Sequence, residues 1–105
     1  MPVIHVESDD HFKTLLEENK NKVVVIDFTA SWCGPCKFIA PLYEELANSH
    51  PNTVFLKVDV DECTGAANDV EAMPTFRFFV NGEKVAEFTG GNESKLKEYV
   101  EKYAV

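Results

Sequence analysis

The stretch Lys22 to Thr29 is strongly β-branched and almost unbroken in its hydrophobicity, a pattern that neither an amphipathic helix nor a half-exposed strand produces. It predicts a central strand covered on both faces, and therefore a layered α/β fold with helices on each side of a sheet. With 105 residues, the chain has room for one such core but not two, so a single domain over residues 1–105 is expected. Asp27 is out of place in this run. An ionised carboxylate is costly there, so its pKa should be raised and its proton mobile near neutral pH.

The flanking patterns fill in the layers. Val3 to Val6 reads as a first strand. Ser8 caps a helix with Phe12, Leu15 and Leu16 on one stripe. A second helix is expected from Cys33 to Ser49, burying Phe38, Ile39, Leu42, Leu46 and Ala47 and carrying Pro41 inside it. Thr53 to Val60 reads as a strand, and the small and acidic stretch Asp61 to Asp69 as a brief third helix. Thr75 to Val80 and Lys84 to Thr89 flank Asn81-Gly82, a strong hairpin signal. After Gly90-Gly91, a last helix from about Ser94 to Tyr103 turns Leu96, Val100 and Tyr103 inward. The expected order is βαβαβαββα, a central mixed five-stranded sheet flanked by four helices with right-handed crossovers.

The sheet's functional end is marked by Trp32-Cys33-Gly34-Pro35-Cys36, just beyond the central strand. Open α/β sheets place their sites at the carboxyl ends of strands. Two cysteines at this spacing can close into a small disulfide ring and reopen, chemistry governed by how easily one thiol becomes a thiolate. If a helix opens at Cys33, its sulfur lies over unpaired N–H groups and the positive end of the helix dipole. Cys33 is then the acidic, exposed thiol, and Cys36, one turn on and facing inward, the partner that attacks second.

Ten Lys and Arg against 18 Asp and Glu give a net charge of −8, which argues against nucleic acid or an anionic membrane as partner. Neither a signal-peptide pattern nor an apolar run of about 20 residues is found. An odd cysteine count of three fits a reducing compartment, so a cytoplasmic location is expected. His5, His11 and His50 have no spacing that groups them with the cysteines.

Trp32 to Cys36, Asp27, Lys57, Pro41, Met73-Pro74-Thr75 and Gly90-Gly91, in this order over essentially the whole chain, resemble the thioredoxin family, in particular its animal cytosolic members. The resemblance implies a thioredoxin fold and a disulfide reductase that holds no cofactor. NADPH would be used indirectly, through thioredoxin reductase, and the electrons would pass to protein disulfides such as those of peroxiredoxin or ribonucleotide reductase type targets. Asp27 would take the proton of Cys36, with Lys57 tuning Asp27 from the adjacent strand; the competing reading makes Asp27 a hydrogen-bonded structural acid and Lys57 a solvated surface lysine. Gly34 and Pro35 would tune the redox behaviour, Pro35 in favour of a reductant. A cis Met73–Pro74 bond would free the Met73 backbone to pair with an extended substrate. Trp32, Val60, Met73, Pro74, Gly90 and Gly91 would form the substrate rim.

Cys63 resembles a regulatory thiol of the animal members, against the plainer reading of a small packing residue. Ala72 stands where several of those proteins have another cysteine, so no disulfide-linked dimer forms through that position and a monomer is expected. The stretch from Asp61 to Met73 is slightly short for the family. Three other functions compete: a redox-independent scaffold, a structural zinc site lacking a full ligand set, and a glutathione-dependent activity, against which Trp32 and Gly34-Pro35 argue.

Overall fold

The computed structural model describes residues 2–105. In chain order the elements are β1 (Val3–His5), α1 (Asp9–Glu18), β2 (Val23–Thr29), α2 (Gly34–Ser49), β3 (Val54–Asp59), β4 (Thr75–Val80), β5 (Glu83–Thr89) and α3 (Glu93–Tyr103). They form one mixed sheet of order β1-β3-β2-β4-β5, parallel across β1, β3 and β2 and antiparallel across β2, β4 and β5.

The apolar run does lie at the centre of the sheet. Alternate β2 residues serve two cores. Val25 packs with Ile39, Tyr43, Phe55, Phe76 and Leu96 beneath α2 and α3, while Val24, Ile26 and Phe28 pack with Leu15, Leu56 and Cys63 on the α1 side. Asp27 shares the face of Val25, the face covered by α2. Local signals behave as their chemistry requires: Ser8 Oγ accepts the His11 N–H at 3.0 Å, and Asn81 and Gly82 both adopt positive φ, 52° and 81°, in the β4–β5 turn.

Three helices are present among the described residues, not four. The expected helix over Asp61 to Asp69 is a succession of turns: Asp59 caps one α-type turn closed by the Cys63 N–H on its carbonyl, but beyond it the Asp9 carboxylate takes N–H groups that a continuing helix would use. Asp59 Oδ1 accepts from Asp61 and Glu62, and the Asp9 carboxylate accepts from Gly65 at 3.0 Å and Ala66 at 2.9 Å. A Cβ at Gly65 would stand 2.7 Å from Asp9 Oδ2, so a side chain there would push the Asp9 carboxylate aside. A second correction concerns α2, whose inward stripe is Cys36, Ile39, Leu42, Tyr43 and Ala47. Phe38, one residue before Ile39 and rotated about 100° from it, points into solvent.

Candidate active site

The end of β2 and the start of α2 build the centre. Cys33 is the N-cap of α2, in extended conformation, and its Sγ accepts the Cys36 N–H at 3.2 Å. Gly34 and Pro35 fill the first turn, where the N–H that proline lacks has no intrahelical partner to lose. Cys33 and Cys36 are joined as a disulfide with their Cα atoms 5.3 Å apart. The expectation of an exposed Cys33 is corrected: the residue is 5% exposed and Cys36 3%, because Ala30, Val60 and Met73 pack around the pair.

A second loop closes on the sulfurs. The Met73–Pro74 bond is cis, and the Met73 carbonyl oxygen lies 3.7 Å from Cys33 Sγ. Thr75 Oγ1 donates to Ala72 O, and the Gly90 N–H donates to Pro74 O at 2.8 Å. The glycine pair fits for separate reasons. Gly90 has φ of +102°, and a Cβ on Gly91 would lie 3.0 Å from the Pro35 carbonyl oxygen. Trp32 is exposed beside this centre, its indole N–H donating to Asp61 Oδ2 at 2.9 Å.

Thus Cys33, Cys36, Pro35, Val60, Met73, Pro74, Gly90 and Gly91 converge from four parts of the chain. Asp27 lies in the core of the sheet, 1% exposed, with Lys57 as its register partner on β3. Burial raises its carboxyl from 3.8 to about 7, against the opposing pull of the Lys57 ammonium. Its Oδ1 is a buried oxygen with no hydrogen-bond partner among the described residues. Lys57 and Cys36 line one cleft of about 280 Å³, which also touches Thr29, Ala30 and Glu62. Cys63 is fully buried in the core on the α1 side.

Two contributors escaped the sequence reading. Asp61 anchors Trp32, and the signal was available, since β2 and β3 end in register at Thr29 and Asp59 and each chain continues from there. Tyr43 is a core residue of α2 whose hydroxyl donates to Leu56 O at 2.7 Å and lies 3.2 Å from Val25 O, tying the helix to both strands beside Asp27. Burial, first of all, pushes its hydroxyl well above the ordinary range. No local pattern distinguishes it from any other aromatic residue in an amphipathic helix.

The thioredoxin family model matches residues 3–102. Thioredoxin from Mus musculus is 46% identical over 101 residues, which span 94% of this chain and 96% of that one. The solved structure of thioredoxin from Schistosoma mansoni in its reduced form superposes with a TM-score of 0.90 at 44% identity, covering 96% of this chain and 97% of the other. For Fasciola hepatica thioredoxin the values are 0.89 and 43%, over 95% and 98%.

Proposed function

The chain belongs to the thioredoxin family and is a protein thiol–disulfide oxidoreductase working through its Cys33–Cys36 pair, and from this premise we propose how its residues divide the reaction. Cys33 is the attacking thiol. The observation that carries the assignment is the hydrogen bond from the Cys36 N–H to Cys33 Sγ at the first turn of α2, a donor and a helix dipole that favour a thiolate at this sulfur and not at Cys36.

In the dithiol form, the Cys33 thiolate attacks one sulfur of the target disulfide, and the other target sulfur leaves as a thiolate. Cys36 then attacks Cys33 Sγ. The mixed disulfide breaks, Cys33–Cys36 forms, and the target has gained two electrons. Asp27 takes the proton Cys36 must lose and gives one back to the departing target sulfur, through water. A carboxyl titrating at about 7 is matched to this exchange. Lys57 tunes Asp27 from its register position.

Trp32, Val60, Met73, Pro74, Gly90 and Gly91 form the surface that receives the target, whose extended backbone pairs with that of Met73. Gly34 and Pro35 stiffen the turn and hold the pair on the reducing side. The oxidised chain is recharged by an NADPH-dependent thioredoxin reductase, and its targets include disulfides of the peroxiredoxin and ribonucleotide reductase type. It acts as a single-domain monomer in the cytoplasm, and no helix among the described residues is long and apolar enough to cross a membrane. Cys63, the candidate regulatory thiol, has no part in turnover.

NADPH consumption with thioredoxin reductase and insulin, run beside a glutathione and glutathione reductase assay, tests the coupling. Activity in the first assay alone is expected. Activity in the glutathione assay alone would move the chain to a different reductant, and silence in both would favour a redox-independent scaffold.

A further inference from the structure

Arg77 lies on β4 two residues beyond Thr75, and its side chain is only 12% exposed. It reaches three parts of the chain. Nη2 is 3.1 Å from Asp69 Oδ1 on the crossover between β3 and β4, Nε donates to Glu87 Oε1 on β5 at 2.5 Å, and the guanidinium lies 4.9 Å from the centre of the Phe28 ring on β2. Lys84 Nζ, 3.3 Å from the same Glu87 oxygen, steadies the outer end. The hydrogen bond from Arg77, first of all, holds the Glu87 carboxyl below its usual range.

What this clamp restrains is the approach to the cis proline. Because the crossover forms turns where a helix was expected, no helical ladder fixes the residues after Val70. Upstream they are secured by the Asp9 carboxylate at Gly65 and Ala66 and by Cys63 and Ala67 in the core. Downstream, Ala72 and Thr75 border the same cleft as Asp69, Arg77 and Glu87. Asp69 precedes Met73 by only a short stretch of chain, so a shift of Asp69 is transmitted to the backbone facing Cys33.

We propose that Arg77 is a positioning residue for protein substrates: by tying Asp69 to Glu87 across the sheet edge, it fixes the Met73–Pro74 backbone on which an extended target strand pairs. This rests on the assignment of Met73 as the pairing backbone. The planar fork of arginine is suited to the task because it offers donors in two directions at once, which an ammonium on a flexible stem does not reproduce.

The experiment measures KM and kcat for insulin, and the rate with cystamine, which is too small to use backbone pairing. Arg77→Gln, Arg77→Lys, Asp69→Asn and the Asp69→Asn/Arg77→Gln double variant are compared with the unaltered chain. Arg77→Gln is expected to raise KM for insulin about 5-fold, the size of one partly exposed ion pair, with kcat and the cystamine rate changed by less than about 2-fold. Arg77→Lys should recover only part of the loss. Asp69→Asn should raise KM by itself, and the double variant should be no worse than Arg77→Gln, the non-additivity expected of a shared contact.

An unchanged insulin KM, or insulin and cystamine rates falling together with folding stability, overturns the inference. Should Arg77→Gln fail to fold, Asp69→Asn, at an exposed position, carries the test by the same criteria. Pro74→Ala separates the role of Arg77 from that of Met73. If it raises insulin KM while Arg77→Gln and Asp69→Asn do not, Arg77 has no positioning role and the Met73 assignment stands; if it leaves KM unchanged, that assignment falls and this inference with it.

Discussion

Cys33 and Cys63 are nearly equally hidden, 5% and 0% exposed, yet their sulfurs face opposite electrostatic surroundings. Cys33 Sγ receives an N–H at the opening of a 16-residue helix. Cys63 Sγ faces the Val6 carbonyl oxygen at 3.8 Å. Burial first, then the carboxylates of Asp9, Glu62 and Asp59, push its thiol above 9.0. Exposure therefore does not distinguish the two sulfurs. The direction of the nearest backbone dipole does, because only the thiolate reacts and only one site stabilises it.

The largest test removes the sulfurs in turn. Cys33→Ser should lower insulin reduction by roughly three orders of magnitude or more, the scale of losing a nucleophile. Cys36→Ser should accumulate mixed disulfides with target proteins, visible by non-reducing electrophoresis and mass spectrometry. Absence of any adduct would count against the assigned order of attack. Cys63→Ala, in contrast, should leave turnover within about 2-fold and cost about 1 kcal/mol of stability through the small cavity it leaves.

Asp27 extends the comparison to an acid in the same low-dielectric interior. Its folded pKa is about 7 against an ordinary 3.8, so between those values the folded chain holds a proton that the unfolded chain has released. Stability must then fall as pH rises through that window and stay reduced above it. Asp27→Ala should be more stable than the unaltered chain by about 4 kcal/mol at pH 8, each tenfold change in proton affinity being worth about 1.4 kcal/mol, and nearly equal to it at pH 4. Guanidinium unfolding at the two pH values measures this. Equal stabilities at pH 8 would mean that Asp27 carries no burial cost. The same variant should slow turnover about 10-fold or more at pH 7, the contribution of a placed acid–base group.

Much of this architecture was legible because local rules and tertiary demands agree. The two-faced apolar run specified a central strand, Asn81-Gly82 specified a hairpin, and the Cys-Gly-Pro-Cys spacing located the first turn of α2. The failures occurred where a distant residue decided a local question. Residues 61–69 look helical until Asp9, far away in the chain, takes two of their N–H groups. Cys33 looks exposed until Val60 and Met73 arrive from other strand ends. Asp27, by contrast, was readable as a perturbed acid from its neighbours alone, since burial is the first cause of its raised pKa.

The smallest expected effect probes what covers Cys63. Its cover is the turn segment held by Asp9, whose carboxylate accepts the Gly65 and Ala66 N–H groups and also adds negative charge near the thiol. Asp9→Asn keeps the shape but weakens two charge-assisted hydrogen bonds, which should lower stability by about 1 kcal/mol. If the segment opens as a local unit, Cys63 becomes accessible in proportion, and alkylation by iodoacetamide under native conditions should quicken about 5-fold. The loss of one nearby anion assists slightly, by a direction and not by a large amount, since burial outranks charge among the causes. Alkylation of the reduced Cys33 in the same sample serves as the internal reference and should not change. If Asp9→Asn leaves the Cys63 rate untouched while lowering stability, the cover over Cys63 is secured by the core packing of Cys63 and Ala67 and not by Asp9.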